Sequence, residues 1–289
     1  MVQPFTDDPH ARGSFTVHRV DSTTSTQDDL RALTDPAHLT TVCAGHQTQG
    51  RGRLGRSWES SPGQSLLAST FVALPDTDRM RERIGFLTLI AAASVRAALA
   101  DLTGSEAFKV KFPNDIVIGN HKIGGVLGEF LPDHSAARGE LNAAIGIGVN
   151  VSQQQPDLID GATSLHAEGF DLDQHTGPGH NPTQTGAALA HAPEPHGVVD
   201  RLLERYLTHL GQRIDAFARA ASASELITEL NNNLYGRGAQ ATVAGKTGTI
   251  AGLTDDAHLI LHGDQETYVS PADVAMFVEY GRAKQPSVN

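Results

Sequence analysis

Residues 15–20 follow the two-residue period of a strand. The run Ser25-Thr26-Gln27-Asp28-Asp29-Leu30 then predicts a helix with a hydroxyl cap and acids in its first turn. A second strand is expected at 40–47, and the apolar run 65–73 predicts a buried one. Ile84, Leu87, Ala91, Val95, Ala98 and Leu102 recur at helical spacing, predicting an amphipathic helix that lays one face on the sheet. Four strand-like pieces follow at 108–112, 116–118, 123–130 and 140–151, separated by Pro-Asn-Asp, Gly-Asn-His and an Ala/Arg/Gly turn, as hairpins of a mixed or antiparallel sheet would be.

From 153 to 197 the pattern breaks down into Gln, His, Pro, Gly and Thr, which predicts an exposed, mobile excursion with 161–166 as an ordered island. Helical spacing returns at 198–218 and 225–234. After Gly236-Arg237-Gly238 come short strands at 241–244, 247–250, 258–261, 266–269 and 276–278, the rhythm of a small β-barrel. The expected architecture is α+β: a mixed or antiparallel sheet covered by helices over 1–235, and a barrel over 236–289.

Composition narrows the function classes. With 289 residues and 39% hydrophobic positions the chain can fill one sizeable core and a smaller one. Cys43 is the sole cysteine, which rules out an intrachain disulfide and a thiolate metal cluster and fits a reducing cytoplasm. The histidines of 153–197 lack ligand spacing and are read as solvated. Residues 1–13 lack a secretory pattern, and 84–102 is interrupted by Thr88, Ser94, Arg96 and Asp101, so neither export nor a membrane span is expected. The 22 basic residues against 33 acidic ones leave a net charge of -11, which disfavours a broad nucleic-acid surface.

Against that acidic background, residues 50–58 (Gly-Arg-Gly-Arg-Leu-Gly-Arg-Ser-Trp) concentrate arginines and glycines in one loop. Glycine lets the backbone approach a ligand closely and arginine offers a charged fork, so the loop reads as an anion clamp or, more simply, as a solvated basic loop. Other motifs fail on spacing. Gly245-Lys246-Thr247 has Gln240 where a phosphate loop needs glycine, and Gly146-Ile147-Gly148 has Val151 where a dinucleotide fingerprint needs its third glycine, leaving Gly148 as a point of close approach. Zinc-protease and hydrolase signatures are absent.

The second dense signal is Lys111-Phe112-Pro113-Asn114-Asp115 followed by Lys122-Ile123-Gly124-Gly125. Taken singly, Asn114-Asp115 is an ordinary turn and Lys122 an edge residue. Together with the arginine loop and Gly146-Ile147-Gly148-Val149-Asn150 they point to a site that handles phosphate.

The order Ser25-Thr26, Gln47, 50–58, 111–115, 122–125 and 146–150 resembles the biotin protein ligases, over most of the chain. That resemblance implies a class II synthetase-like catalytic domain with an SH3-like C-terminal barrel. It also implies a two-step reaction with ATP, biotin and Mg²⁺: biotinyl-5′-AMP and pyrophosphate form, then a lysine of the biotin carboxyl carrier domain of an acyl-CoA carboxylase takes the biotinyl group. By the same resemblance Ser25, Thr26 and Gln47 would bind the ureido head, and Gly50, Arg51, Gly52 and Arg53 would fold over biotin and adenylate. Lys122 would stabilise charge between the biotin carboxylate and the α-phosphate, with Arg53 and Asp115 as catalytic partners and Asp115 near Mg²⁺. Arg56, Trp58, Asn114 and Asn150 would hold the nucleotide. Two positions depart from the family pattern, Gln27 for the frequent Asn and Phe112 for the frequent Trp; the first puts biotin affinity in doubt. The stretch before Phe15 is too short for a helix-turn-helix, so the monofunctional class is expected, cytoplasmic, binding neither DNA nor membrane, as a monomer or weak homodimer. A lipoate or octanoate ligase, and a nonenzymatic nucleic-acid-binding module, are the rival readings.

Overall fold

A computed structural model describes residues 15–131, 139–170, 197–220, 222–271, 273–275 and 278–280. Strand β1 (Thr16–Val20) leads through helix α1 (Thr26–Arg31) to β2 (Thr40–Ala44). The short strands β3 (Gly50–Arg51) and β4 (Ser57–Trp58) pair only with each other, and β5 (Ser65–Pro75) follows. Next come α2 (Asp78–Arg83), α3 (Phe86–Thr103), β6 (Phe108–Lys111), β7 (Asp115–Ile118), β8 (His121–Phe130) and β9 (Glu140–Asn150). The described C-terminal part holds α4 (Gly197–Arg219), α5 (Ser224–Asn232), β10 (Gln240–Val243), β11 (Lys246–Leu253), β12 (Leu259–His262), β13 (Glu266–Val269) and β14 (Val278–Tyr280).

Seven strands form one sheet in the order β1-β2-β5-β9-β8-β7-β6; β1 and β2 run parallel and every other pair antiparallel, so the sheet is mixed. Its two faces do different work. Leu66, Ala68 and Val72 of β5 with Val149, Ile147 and Ile145 of β9 join the main core beneath α3 and α4. The alternate residues face α1, where Leu30, Val42, Phe71 and Ala144 make a small second cluster. Full burial of a leucine or phenylalanine is worth roughly 1.5–3 kcal/mol, so the large face anchors the fold and the small one leaves room beside α1.

Helix α3 departs from its expected amphipathic form. Its buried residues fall on all sides, because the sheet covers one flank and α4 the other, with the Phe86 and Phe217 rings 5.4 Å apart. Arg96 is buried there too: it pairs with Glu106, and its Nε donates to the Phe108 carbonyl at 3.3 Å. By length and composition α3 could cross a membrane, yet 78% of it is buried in the protein. Helix α2 was not read from sequence; Thr77 starts it, its hydroxyl accepting the Met80 N–H at 3.2 Å. At α1, Ser25 sits at the cap position but its side chain makes no capping bond, so the expected hydroxyl cap is not formed.

Residues 153–170 of the predicted mobile excursion are packed against the fold. Gln153 is buried and held by hydrogen bonds, which composition does not reveal, while Thr163, Ser164 and Leu165 are buried within the expected ordered island, Leu165 packing in the main core. Gln153 Oε1 accepts the Val151 N–H at 2.9 Å, and Gln153 Nε2 donates to Ser65 Oγ at 2.5 Å. Residues 171–196 of that excursion lie outside the described residues.

After α5 the chain pairs along the edge of β6, the Tyr235 N–H bonding the Val110 carbonyl at 2.9 Å, before entering the small C-terminal unit. That unit is a five-stranded antiparallel sheet, β13-β12-β11-β10-β14, whose edge strands do not pair with each other among the described residues. Among the described residues it is an antiparallel sheet left open, consistent with a small β domain but not closed into the small barrel expected. Alternation in sequence specifies neighbours, whereas closure depends on strand tilt and stagger, which alternation does not encode.

Candidate functional site

Beside α1, on the lightly covered face of the sheet, lies a cleft whose floor is cut by glycines. Gly125 of β8 stands opposite Gly148 of β9, and Gly146 lies two residues along the same strand and face. Each supports a side chain that a Cβ would strike. A Cβ on Gly148 would come within 2.5 Å of the Trp58 ring, one on Gly146 within 3.2 Å of the Gln27 amide, and one on Gly125 within 3.2 Å of Lys122 Nζ. The strand register therefore fixes where these three groups sit.

One end of the cleft is neutral and prearranged. The Thr26 backbone N–H and hydroxyl both donate to Gln47 Oε1, at 2.8 and 3.0 Å. With its proton so used, the Thr26 hydroxyl accepts from Ser69 Oγ at 2.8 Å. Ser25 and Gln27 complete this end. Ser69 was missed in the sequence because it lies in the apolar run of β5; a hydroxyl on the same face as Leu67 and Phe71 was the available signal.

The other end is cationic, and each cation has a protein partner. Lys122 Nζ lies 2.7 Å from Asp115 Oδ1 and 5.7 Å from the centre of a Trp58 ring. Its backbone is clipped by the neighbouring segment: the Lys122 N–H bonds the Gly161 carbonyl and the Thr163 N–H bonds the Lys122 carbonyl, both at 2.8 Å. Arg53 donates to Asn114 Oδ1 and to the Pro271 carbonyl of the C-terminal unit, both at 3.1 Å. Burial lowers the pKa of the Arg53 guanidinium, and the Asp115 charge opposes that shift. Arg51 reaches Asp28 at 2.7 Å in an exposed pair. Asn114 holds its own place through its Nδ2, which donates to the Val126 carbonyl at 2.9 Å.

Thus Ser25, Thr26, Gln47, Arg51, Gly52, Arg53, Trp58, Asn114 and Lys122 all line one cleft. Others of the expected set stand outside its lining. Gly50 lies behind it, where a Cβ would meet the Trp58 carbonyl at 2.4 Å, and Arg56 is solvent-exposed. Asn150 is buried and committed to the fold: its Nδ2 donates to the Thr163 carbonyl at 2.9 Å and its Oδ1 accepts from Gln153 at 3.2 Å. Asp115 is engaged by Lys122. Among the described residues no three His, Cys, Asp or Glu side chains converge on one point, so the protein by itself offers no all-protein metal cage.

Residues 16–150, the stretch that builds this cleft, match the Biotin/lipoate A/B protein ligase family. The Bifunctional ligase/repressor BirA of Bacillus spizizenii is 36% identical over 160 residues, 54% of this chain and 47% of the relative. The Biotin--[acetyl-CoA-carboxylase] ligase of Paracoccus denitrificans is 28% identical over 247 residues, 82% of this chain and 89% of the relative. The chain spans about half the length of most of the curated relatives it matches, the Paracoccus protein being matched along nearly all of its own. In fold, the chain resembles the biotin protein ligase from Aquifex aeolicus in complex with biotin and ATP. The TM-score is 0.69 at 22% identity, over 92% of this chain and 99% of that one.

Proposed function

We propose that this chain is an ATP-dependent biotin protein ligase that forms biotinyl-5′-AMP with release of pyrophosphate. It then passes the biotinyl group to a lysine of a biotin carboxyl carrier domain. The observation that carries this reading is that one cleft joins the neutral Ser25, Thr26, Gln47 and Ser69 end to the cationic Arg51, Arg53 and Lys122 end. Biotin has that polarity, a neutral urea at one end and a carboxylate at the other.

A carboxylate is a poor electrophile until its oxygen is esterified to phosphorus, and the two anions repel as they approach. The Lys122 ammonium offsets that repulsion where the carboxylate oxygen meets the α-phosphate, and it is most effective as charge builds in the transition state. Asp115 orients the ammonium. Arg53, which changes partners from Asn114 and Pro271 to the ligand, retains the adenylate against escape and hydrolysis. Magnesium enters with the triphosphate as part of the substrate.

Incubation with labelled biotin, ATP·Mg and a carrier domain tests the reading. Label linked to a carrier lysine, with pyrophosphate released, is expected. Pyrophosphate release with lipoate or octanoate but not with biotin would reassign the acid. Salt-sensitive RNA or DNA binding without ATP turnover in the presence of biotin would replace the enzyme with a binding module.

A further inference from the structure

Gln27 stands apart from Thr26, Ser69 and Gln47, the hydrogen-bonded groups at the neutral end of the cleft. It is the second residue of α1, only 4% exposed, and its Cδ and Oε1 lie 3.2 Å from where a Gly146 Cβ would stand. Neither its Oε1 nor its Nε2 has a hydrogen-bond partner, although both atoms are buried. Thr26 and Ser69, one residue and one strand away, bond to each other, and Thr26 bonds to Gln47 as well. A buried amide with both capacities unused destabilises the fold relative to an apolar side chain of similar size, so methionine or leucine would suit the ligand-free protein better. The amide is explained by a ligand that answers both of its atoms.

The chemistry of that ligand follows from the amide itself. Oε1 needs an N–H donor and Nε2 needs a carbonyl, and the two must lie side by side in one plane. The N–H and C=O of a cyclic urea or lactam are presented in this way. A hydrocarbon tail or a dithiolane ring presents neither. We infer that Gln27 is a specificity-determining residue that pairs edge to edge with the ring amide of the acid, selecting urea-bearing acids over acids with an apolar tail. This rests on the ligase reading above and sharpens it, since a site whose buried polar groups need partners rejects a ligand that lacks them far more strongly than an apolar pocket can.

Calorimetric titration of the full chain with biotin, desthiobiotin and octanoate tests it. The first two carry the cyclic urea and the third does not. Wild-type protein binds the two urea acids in preference to octanoate. In Gln27→Met, which keeps length and removes the amide, affinity for both urea acids falls by about 10- to 100-fold while octanoate binding is unchanged or improved. The melting temperature of the ligand-free variant stays equal or rises, whereas a purely structural role would lower it and leave the preference intact. Gln27→Asn withdraws the amide by one methylene and falls between the two, which keeps the test informative should the methionine variant fold poorly. An unchanged preference for urea acids in both variants overturns the inference and leaves the ligase reading standing. Wild-type protein that binds neither biotin nor desthiobiotin overturns both.

Discussion

The two ends of the cleft solve opposite problems. At the neutral end, Thr26, Ser69 and Gln47 hold one another in place before any ligand arrives, so little order remains to be imposed on binding. At the cationic end Lys122, Arg53 and Arg51 are each engaged by a group of the protein itself: Lys122 by the Asp115 carboxylate, Arg53 by the uncharged Asn114 amide and Pro271 carbonyl, and Arg51 by the Asp28 carboxylate. Gathered cations repel one another, and burial penalises the charge of Arg53 in particular. Internal partners make the cluster tolerable in the empty protein, and an anionic ligand must compete with them. Recognition is built in at one end and exchanged at the other.

The comparison can be broken most sharply at Lys122. In Lys122→Ala, pyrophosphate release with biotin and ATP should fall by about 10²- to 10³-fold, with circular dichroism and melting temperature little changed, because only a half-exposed ion pair is lost. Turnover equal to wild type would remove Lys122 from the chemistry. Arg53→Ala should separate the two half-reactions. Pyrophosphate release continues while about tenfold more adenylate escapes to solvent, read as free biotinyl-AMP or its hydrolysis product, and carrier labelling drops to match. Unaltered retention would show that the Asn114 and Pro271 contacts are its whole role.

The neutral end gives a different signature. Thr26→Val keeps shape and removes the shared hydroxyl, leaving Ser69 and Gln47 short of a partner; KM for biotin should rise about tenfold with KM for ATP unaffected. A change in the ATP constant alone would merge the two ends that the structure separates. The smallest effect belongs to Asp28→Asn. It frees the exposed Arg51, so ligand affinity should change by no more than about threefold and the change should vanish at high salt. A larger, salt-independent effect would mean that Arg51 is held as firmly as Arg53.

Much of this was legible in the order of residues, for a physical reason. Strands and helices with one periodic face announce themselves, and β5, β8 and β9 fall close to where their apolar runs predict them. What escaped was whatever depends on two distant segments meeting. Asn150 reads like a ligand-binding amide, but Thr163 and Gln153 come back to occupy it. The stretch around Gln153 reads as loose because its burial is secured by hydrogen bonds. Arg53 reads as a free clamp because nothing local reveals a carbonyl 218 residues away in the chain. Gly148 was recognisable as a point of close approach, though not that Trp58 would be the group approaching.

The glycine floor has a consequence for variation and for redesign. Because the depth of the pocket is set by hydrogen atoms where side chains would be, alanine is already too large at Gly148 unless the Trp58 indole moves, and at Gly146 and Gly125 it forces Gln27 or Lys122 to give way. Attempts to admit bulkier acids therefore have almost no freedom in the strands beneath and must be made in the walls above, where side chains can be shortened without shifting the sheet.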